Sequence, residues 1–286
     1  MASLQQIKRR IRSVQNTAKV TKAMEMVAAS KMRRAQQSVF SSRSYNQKIT
    51  EVVSSLASVH KNELTINLPL LESREIKKHL VILLTPDRGL CGGLHSNLNK
   101  AALNFMSEHS DDEIDFIAVG KKGTEFMVRY TKKILATFTK FSDNPKLIDI
   151  LPIAKITKDQ YSNYQSDAVY LLYPKFQSVV VQEITLEKIL PITGKEVIKV
   201  SDFIYEPNSK EVLEGLLPRY IEMKIYQALL ELIASEYSAR MVAMKNATDN
   251  ANDMIDDLTL ELNKARQNAI TNELLDLVGG AEALNE

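Results

Sequence analysis

Neither glycine nor proline occurs in residues 1–68 or in residues 219–278. All nine glycines and eight prolines lie elsewhere, most of them between Pro69 and Pro218. Both residues disfavour helix interiors, glycine through backbone entropy and proline through its missing N–H and its ring. Each bare stretch therefore reads as one very long helix, on the order of 90 Å for 60 residues at ~1.5 Å per residue. Two such helices at the ends of one chain predict a rod with a globular body inserted. That shape suits a protein that passes position or force between places better than a simple soluble enzyme.

Charge divides the two helices. Residues 1–50 hold eleven Lys and Arg against Glu25 alone, and residues 206–286 hold seven against fifteen Asp and Glu. The whole-chain net of +2 conceals this asymmetry. Opposite signs favour pairing of the two helices. An exposed ion pair contributes only ~0–1 kcal/mol, so burial of the apolar seam must hold them together.

The seam is visible in the first helix. Leu4, Ile7, Ile11, Val14, Ala18 and Thr21 recur at alternating spacings of three and four, a coiled-coil signature. Continuing the heptad places Glu25 in the core, so the stripe is expected to shift to Met24, Val27, Ala28 and Met32 through a stutter-like break. In the second helix the seam reads Ile221, Ile225, Ala228, Leu232, Ala239 and Val242. It then slips to Met244, Ala247, Ala251, Met254, Leu258 and Ala265. Met24–Ala29, Met241–Met244 and Leu274–Val278 carry more apolar residues than one partner helix covers, which points to an outside partner or a locally wider core.

The middle of the chain changes period. Leu80–Leu84, Phe116–Val119, Ile134–Phe138, Ala168–Tyr173 and Val179–Ile184 read as strands, the last two separated by Pro174 and Gln177. Helical patterns lie around Asn97–Met106, Thr124–Tyr130 and Ile148–Asn163, with Pro152 in or just before the first turn of the last. Alternation of strand and helix implies an α/β layer structure with a largely parallel sheet. The expected domains are residues 1–68, 69–208 and 209–286.

No apolar run is long enough to cross a bilayer, and the first residues lack an apolar signal core. Cys91 is the only cysteine, which excludes an intrachain disulfide and a cysteine-based zinc site. The histidines at 60, 79, 95 and 109 show no metal-ligand spacing. Asn246-Ala247-Thr248 forms a glycosylation sequon inside a helical pattern.

Two glycine-rich loops invite a phosphate reading. Arg88-Gly89-Leu90-Cys91-Gly92-Gly93 follows a strand and precedes a helix, a context that suits an anion at a helix N-terminus. Its spacing matches neither the dinucleotide fingerprint nor the Walker loop, and a tight strand-to-helix turn is the plainer reading. Gly120-Lys121-Lys122-Gly123-Thr124 is likewise a poor Walker match. Asp249, Asp253, Asp256 and Asp257 place carboxylates on one helix face, for metal or, more simply, for solvent and the basic helix. The basic first helix has few aromatics for base stacking and an acidic partner in its own chain, so nucleic acid is not expected. No residue set supports catalysis or a cofactor.

Three segments together resemble the gamma subunits of F-type ATP synthases. They are Ile11–Thr17 with Lys22–Lys31, then Thr85–Gly93, then Arg266-Gln267 through Ile270-Thr271-Asn272-Glu273 to Asp276 and Gly280-Ala281. The likeness spans essentially the whole chain in the order helix, α/β body, helix. Pro86 stands where the family often has Ser, and Leu262 where an aromatic is usual.

The resemblance implies a long antiparallel coiled coil of N- and C-terminal helices with an inserted Rossmann-like α/β domain. It implies a central rotor stalk standing in a ring of alternating alpha and beta subunits. Its foot would rest on the membrane c ring beside epsilon, with a delta-type subunit elsewhere in the complex and one stalk per complex. Catalysis would lie at the alpha/beta interfaces and not on this chain. Arg266, Gln267, Thr271 and Glu273 are the expected contacts to the ring's catch loops. Lys22, Met24 and Lys31 are expected near the acidic lever of beta, and Leu274, Leu277 and Val278 in an apolar upper bearing. A coiled-coil adaptor with a ligand-binding head is the alternative. A single cysteine excludes the dithiol switch of the plant chloroplast form. The expected place is the cytoplasmic side of a bacterial inner membrane, as a peripheral protein.

Overall fold

A computed structural model of the chain describes residues 4–60, 68–130, 133–192, 206 and 208–283; within these, the side chains at 58–60, 209, 276, 279 and 281–283, among them His60, Asp276 and Ala281, lie outside the described set. The elements run α1 (Leu4–His60), a 3-10 turn (Pro69–Leu71), β1 (Lys78–Leu84), α2 (Leu94–Glu108), β2 (Glu113–Val119), α3 (Lys121–Tyr130), β3 (Ile134–Phe138), α4 (Leu147–Ser162), β4 (Ala168–Phe176), β5 (Gln182–Leu190) and α5 (Ser209–Ala283). α1, of 57 residues, lies within the first bare stretch, and α5, of 75 residues, spans the second and also runs through Gly215, Pro218, Gly279 and Gly280. The chain divides into two compact units, residues 1–27 with 241–286, and residues 28–240.

In the first unit the seam of α1 follows the expected residues, with Ile7 2% exposed and Leu4, Ile11, Val14, Ala18 and Thr21 half-buried. The expected break does not occur. Glu25 stays in the seam with its side chain 17% exposed, and Lys22 one turn earlier neutralises it at 3.0 Å. A carboxylate at a core position is tolerated because its partner is local and its tip reaches the rim. Val27, expected in a shifted stripe, is 56% exposed. On α5 the seam runs through Met244, Thr248, Ala251, Ile255, Leu258, Leu262, Ala265 and Ala269, an unbroken alternation of four and three. Thr248 and Ile255 therefore replace the expected Ala247 and Met254, and Met254 is 52% exposed. Small residues concealed the register, because Ala and Thr carry little hydrophobic signal. Among the described residues no ion pair joins α1 to α5 within this unit, so its seam is held by burial; Lys8, Arg9, Arg10, Arg12 and Lys19 face solvent.

The second unit is built on a five-stranded sheet of order β3-β2-β1-β4-β5. The first four strands are mutually parallel and β5 runs antiparallel to β4. Leu80, Val81, Ile82, Leu83 and Leu84 are all fully buried, which is why β1 reads as a continuous apolar run: both faces of a central parallel strand are covered. Val81, Leu83, Phe116 and Leu172 pack with Leu94, Leu98, Ala102 and Phe105 of α2 and Met127 of α3. Alternation sends Leu80, Ile82 and Leu84 to the opposite face.

Two prolines depart from expectation. Pro174 lies inside β4 and not between strands; β1 pairs only as far as Leu172, so the missing N–H removes no bond on that side. The turn then falls at residues 177–181, and β5 begins at Gln182 instead of Val179. Pro152 sits in the second turn of α4, which opens instead on Asp149 accepting from the Lys146 N–H at 2.8 Å.

Within this unit α1 and α5 run antiparallel, since Arg43 meets Glu231 while Asn46 meets Met223. From Tyr220 to Arg240 no residue of α5 is exposed. A helix buried on all sides must carry its polar groups into partnered positions.

Candidate functional site

A doubly wound sheet places its ligand crevice where strand order reverses, at the C-terminal ends of neighbouring strands. Here that point lies between β1 and β4, and the segment that follows β1 carries the Arg88–Gly93 loop. α5 occupies the loop's inner side. Arg240 donates through Nε and a terminal nitrogen to the Gly89 carbonyl at 3.3 and 3.2 Å, and to the Arg88 carbonyl at 3.4 Å. Glu236 balances its charge at 2.6 Å. Burial pushes the Glu236 carboxyl above its ordinary range, with Arg240 pulling the other way. The loop thus offers carbonyls to a cation of its own chain, the opposite of an anion cradle.

The second glycine loop is equally committed. Gly120 N–H donates to Phe138, Lys121 N–H to the Asp87 carboxylate, Lys122 N–H to Pro86 and Gly123 N–H to the Thr85 hydroxyl. These are the first-turn donors of α3 that a phosphate would need. Gly120 has φ +95, and a Cβ there would lie 1.8 Å from the Thr85 carbonyl oxygen. Close approach of Thr85 explains the glycine. Both loops are turns.

Cys91 is fully buried, and burial raises its thiol pKa despite the opposing charge of Arg240. Such a thiol is a packed side chain and not a nucleophile. His79 is buried against Phe105, His109 and Tyr170 and meets Asp112 at 3.0 Å through Nε2. Among the described residues no three metal-ligating side chains gather, and Asp249, Asp253, Asp256 and Asp257 are all exposed.

The helix surfaces remain. Arg266, Gln267, Thr271 and Glu273 are exposed on α5, and the Thr271 hydroxyl bonds back to the Gln267 carbonyl at 2.9 Å. Leu274, Leu277 and Val278 are 57%, 70% and 62% exposed, and Ile270 is 50% exposed. Spaced by four, three and one, these four share a helix face that no other described residue covers. Met24 is half-buried, and Lys22 is exposed and bound to Glu25. Lys31, in the other unit, is held by Asp143 at 2.5 Å and lies over the Tyr237 ring. The sequence reading missed Arg43, Glu231 and Arg240. Charged residues inside an otherwise apolar stretch of α5 were the available signal.

Compared with known proteins, the chain matches the ATP synthase family over residues 3–284. It is 48% identical over 286 residues to the ATP synthase gamma chain of Dehalococcoides mccartyi, covering 99% of this chain and 100% of that one. The chain belongs to the ATP synthase gamma-chain family. The gamma chain of Herpetosiphon aurantiacus is 45% identical over 296 residues, covering both chains fully. Among solved structures, a chain of the Euglena gracilis mitochondrial ATP synthase assembly of OSCP, F1 and c-ring superposes with a TM-score of 0.68 at 18% identity, over 98% of this chain and 94% of that one. A chain from the Tetrahymena thermophila central stalk and c-ring gives 0.62 at 24% identity, over 80% and 99%. These two show the fold. Membership in the gamma-chain family makes this a non-catalytic subunit.

Proposed function

We propose that the chain is the central rotor stalk of an F-type ATP synthase, coupling ion flow through a membrane c ring to ATP synthesis and hydrolysis in an alpha/beta ring. The observation that carries this reading is the uncovered apolar face Ile270–Leu274–Leu277–Val278 at the end of a 75-residue helix in a gamma-chain family member. An apolar collar around such a face permits rotation without fixed hydrogen bonds. Arg266, Gln267, Thr271 and Glu273 then meet the catch loops of the ring. Lys22, Met24 and Lys31 serve the acidic lever of beta, with the basic surface of α1 steering that approach. Residues 69–208 form most of the foot, beside epsilon and on the c ring, and residues 1–68 and 209–286 form the shaft. One copy serves each complex, with a delta-type subunit elsewhere. Among the described residues no helix is long and apolar enough to cross a membrane; attachment at the cytoplasmic face of a bacterial inner membrane is peripheral. The adaptor alternative needs a ligand site in the head; Arg240 holds the carbonyls of one candidate loop, and internal bonds take the N–H donors of the other.

Reconstitution tests the reading. Purified alpha and beta subunits are combined with and without this chain, and complex size and ATP hydrolysis are measured. A defined particle with one copy per three alpha/beta pairs, active only when the chain is present, is the expected result. Failure to assemble with folded alpha and beta subunits overturns it.

A further inference from the structure

Within residues 28–240 one node joins three elements at once. Arg43 of α1 grips Glu231 of α5 in a two-pronged pair, Nε to Oε1 and a terminal nitrogen to Oε2, both at 2.7 Å. The same terminal nitrogen donates to the Phe176 carbonyl at the end of β4 at 2.6 Å. The Phe176 N–H donates to Glu231 Oε2 at 2.9 Å, and Gln227 donates to Oε1 at 2.8 Å. The Glu231 side chain is 4% exposed and that of Arg43 34%. One carboxylate thus ties the N-terminal helix, the C-terminal helix and the sheet backbone.

Apolar packing around this node is abundant but non-directional, and a helix sheathed in Leu, Ile and Ala can slide or roll at modest cost. A planar guanidinium on a buried carboxylate has one geometry. A roll of α5 by a single residue turns Glu231 by about 100° and breaks its bonds to Arg43 and Phe176 together. Buried ion pairs add little net stability over an apolar replacement, and fixing register is their best-attested use.

We propose that the Arg43–Glu231–Phe176 node is the torsional lock of the stalk, positioning both helices against the sheet so that rotation of the foot is delivered to the shaft without slip. This rests on the stalk reading above. Arg43 and Glu231 are positioning residues and touch no nucleotide.

The test uses the whole complex in membrane vesicles, assembled with the wild-type chain, with Glu231→Gln, or with the double variant Arg43→Met/Glu231→Leu. ATP hydrolysis and ATP-driven ion pumping are read on the same vesicles, with the melting temperature of each complex. Glu231→Gln keeps size but turns one of the two accepting oxygens into a donor, facing Arg43 with either Gln227 or the Phe176 N–H. The expected result is pumping per ATP hydrolysed lowered roughly three- to tenfold, with hydrolysis within about twofold of wild type. The double variant removes both charges but leaves the Phe176 N–H and the Gln227 amide without their acceptor, so it is expected to regain part of the melting temperature that Glu231→Gln loses while its pumping ratio stays low. A purely structural node predicts that stability and pumping ratio recover together, and that result overturns the proposal, as does a wild-type ratio in assembled Glu231→Gln. Vesicles in which the wild-type chain itself supports no pumping would instead remove the stalk reading, and the lock with it.

Discussion

Thr21 of α1 and Thr248 of α5 face each other with their hydroxyl oxygens 2.7 Å apart, although 227 residues of chain separate them. Each is also within reach of a carbonyl of its own helix, Ala18 for Thr21 and Met244 for Thr248, at 3.1 and 2.8 Å. One proton bridges the pair while the other bonds back, so neither hydroxyl is stranded in the seam. Thr248→Val removes the bridge but leaves Thr21 its carbonyl, and is expected to cost about 1 kcal/mol or less. Thr248→Phe overfills a seam built of small residues, at a cost of about 1–3 kcal/mol. Denaturant midpoints followed by helical circular dichroism separate the two. Equal midpoints would mean that the helices are not closely packed here.

Among the described glycines of the α/β body, Gly120 is the least replaceable. Its φ of +95 and the Thr85 carbonyl oxygen, 1.8 Å from where a Cβ would stand, oppose any side chain. Gly120→Ala is expected to cost upwards of about 4 kcal/mol and to lower the soluble yield sharply. Gly89, with nothing within 4 Å, is the control, and Gly89→Ala should stay within about 1 kcal/mol of the parent. Similar yields for the two variants would contradict the close approach of Thr85.

Asp87 closes the sheet's C-terminal edge from outside. Its two oxygens accept from the Lys121 and Lys140 backbone N–H groups, both at 2.8 Å. Lys140 has φ 65, a left-handed conformation that this bond helps to hold. Asp87→Ala is expected to destabilise by about 1–3 kcal/mol and to quicken trypsin cleavage after Lys140, with Asp87→Asn intermediate. A cleavage rate unchanged in both variants would show that the turn holds without the carboxylate.

What was legible in the sequence followed periodicity. The two long helices, the five strands and a largely parallel sheet came from glycine and proline placement, from the alternation of strand and helix and from runs such as Leu80–Leu84, because burial on both faces leaves an uninterrupted apolar mark. The register of α5 past Met244 did not, since Ala247 and Thr248 differ little in hydrophobicity and the choice is made by the facing helix. Glu25 misled for a related reason: a carboxylate reads as an exposed residue until Lys22 is seen beside it. Pro174 read as a break, and only the pairing of β4 shows that no partner misses its N–H. The polar nodes were invisible, because Arg43 and Glu231 are 188 residues apart. Arg266, Gln267, Thr271 and Glu273 are ordinary exposed residues by every physical measure, and only resemblance singled them out.

Tyr161 gives the alkaline limb of stability a local probe. The side chain is fully buried in α4, its hydroxyl donates to the Glu72 carbonyl at 2.6 Å, and the Arg74 guanidinium lies 4.5 Å from its ring centre. Burial pushes its pKa up to about 12, against a smaller pull downward from Arg74. In the unfolded chain a tyrosine ionises near 10, so between about pH 10 and 12 the unfolded state holds fewer protons than the folded state. Stability contributed by the neutral phenol is complete below pH ~10 and is lost as pH rises toward ~12. Tyr161→Phe deletes the hydrogen bond, at about 1 kcal/mol near neutrality, and deletes this titration with it. The gap in melting temperature between the parent and Tyr161→Phe should therefore narrow from pH 10 to pH 12 and then change sign. Other buried tyrosines, Tyr173 and Tyr220 among them, titrate in both proteins and cancel in the difference. Parallel curves across that window would mean that the Tyr161 hydroxyl is open to solvent.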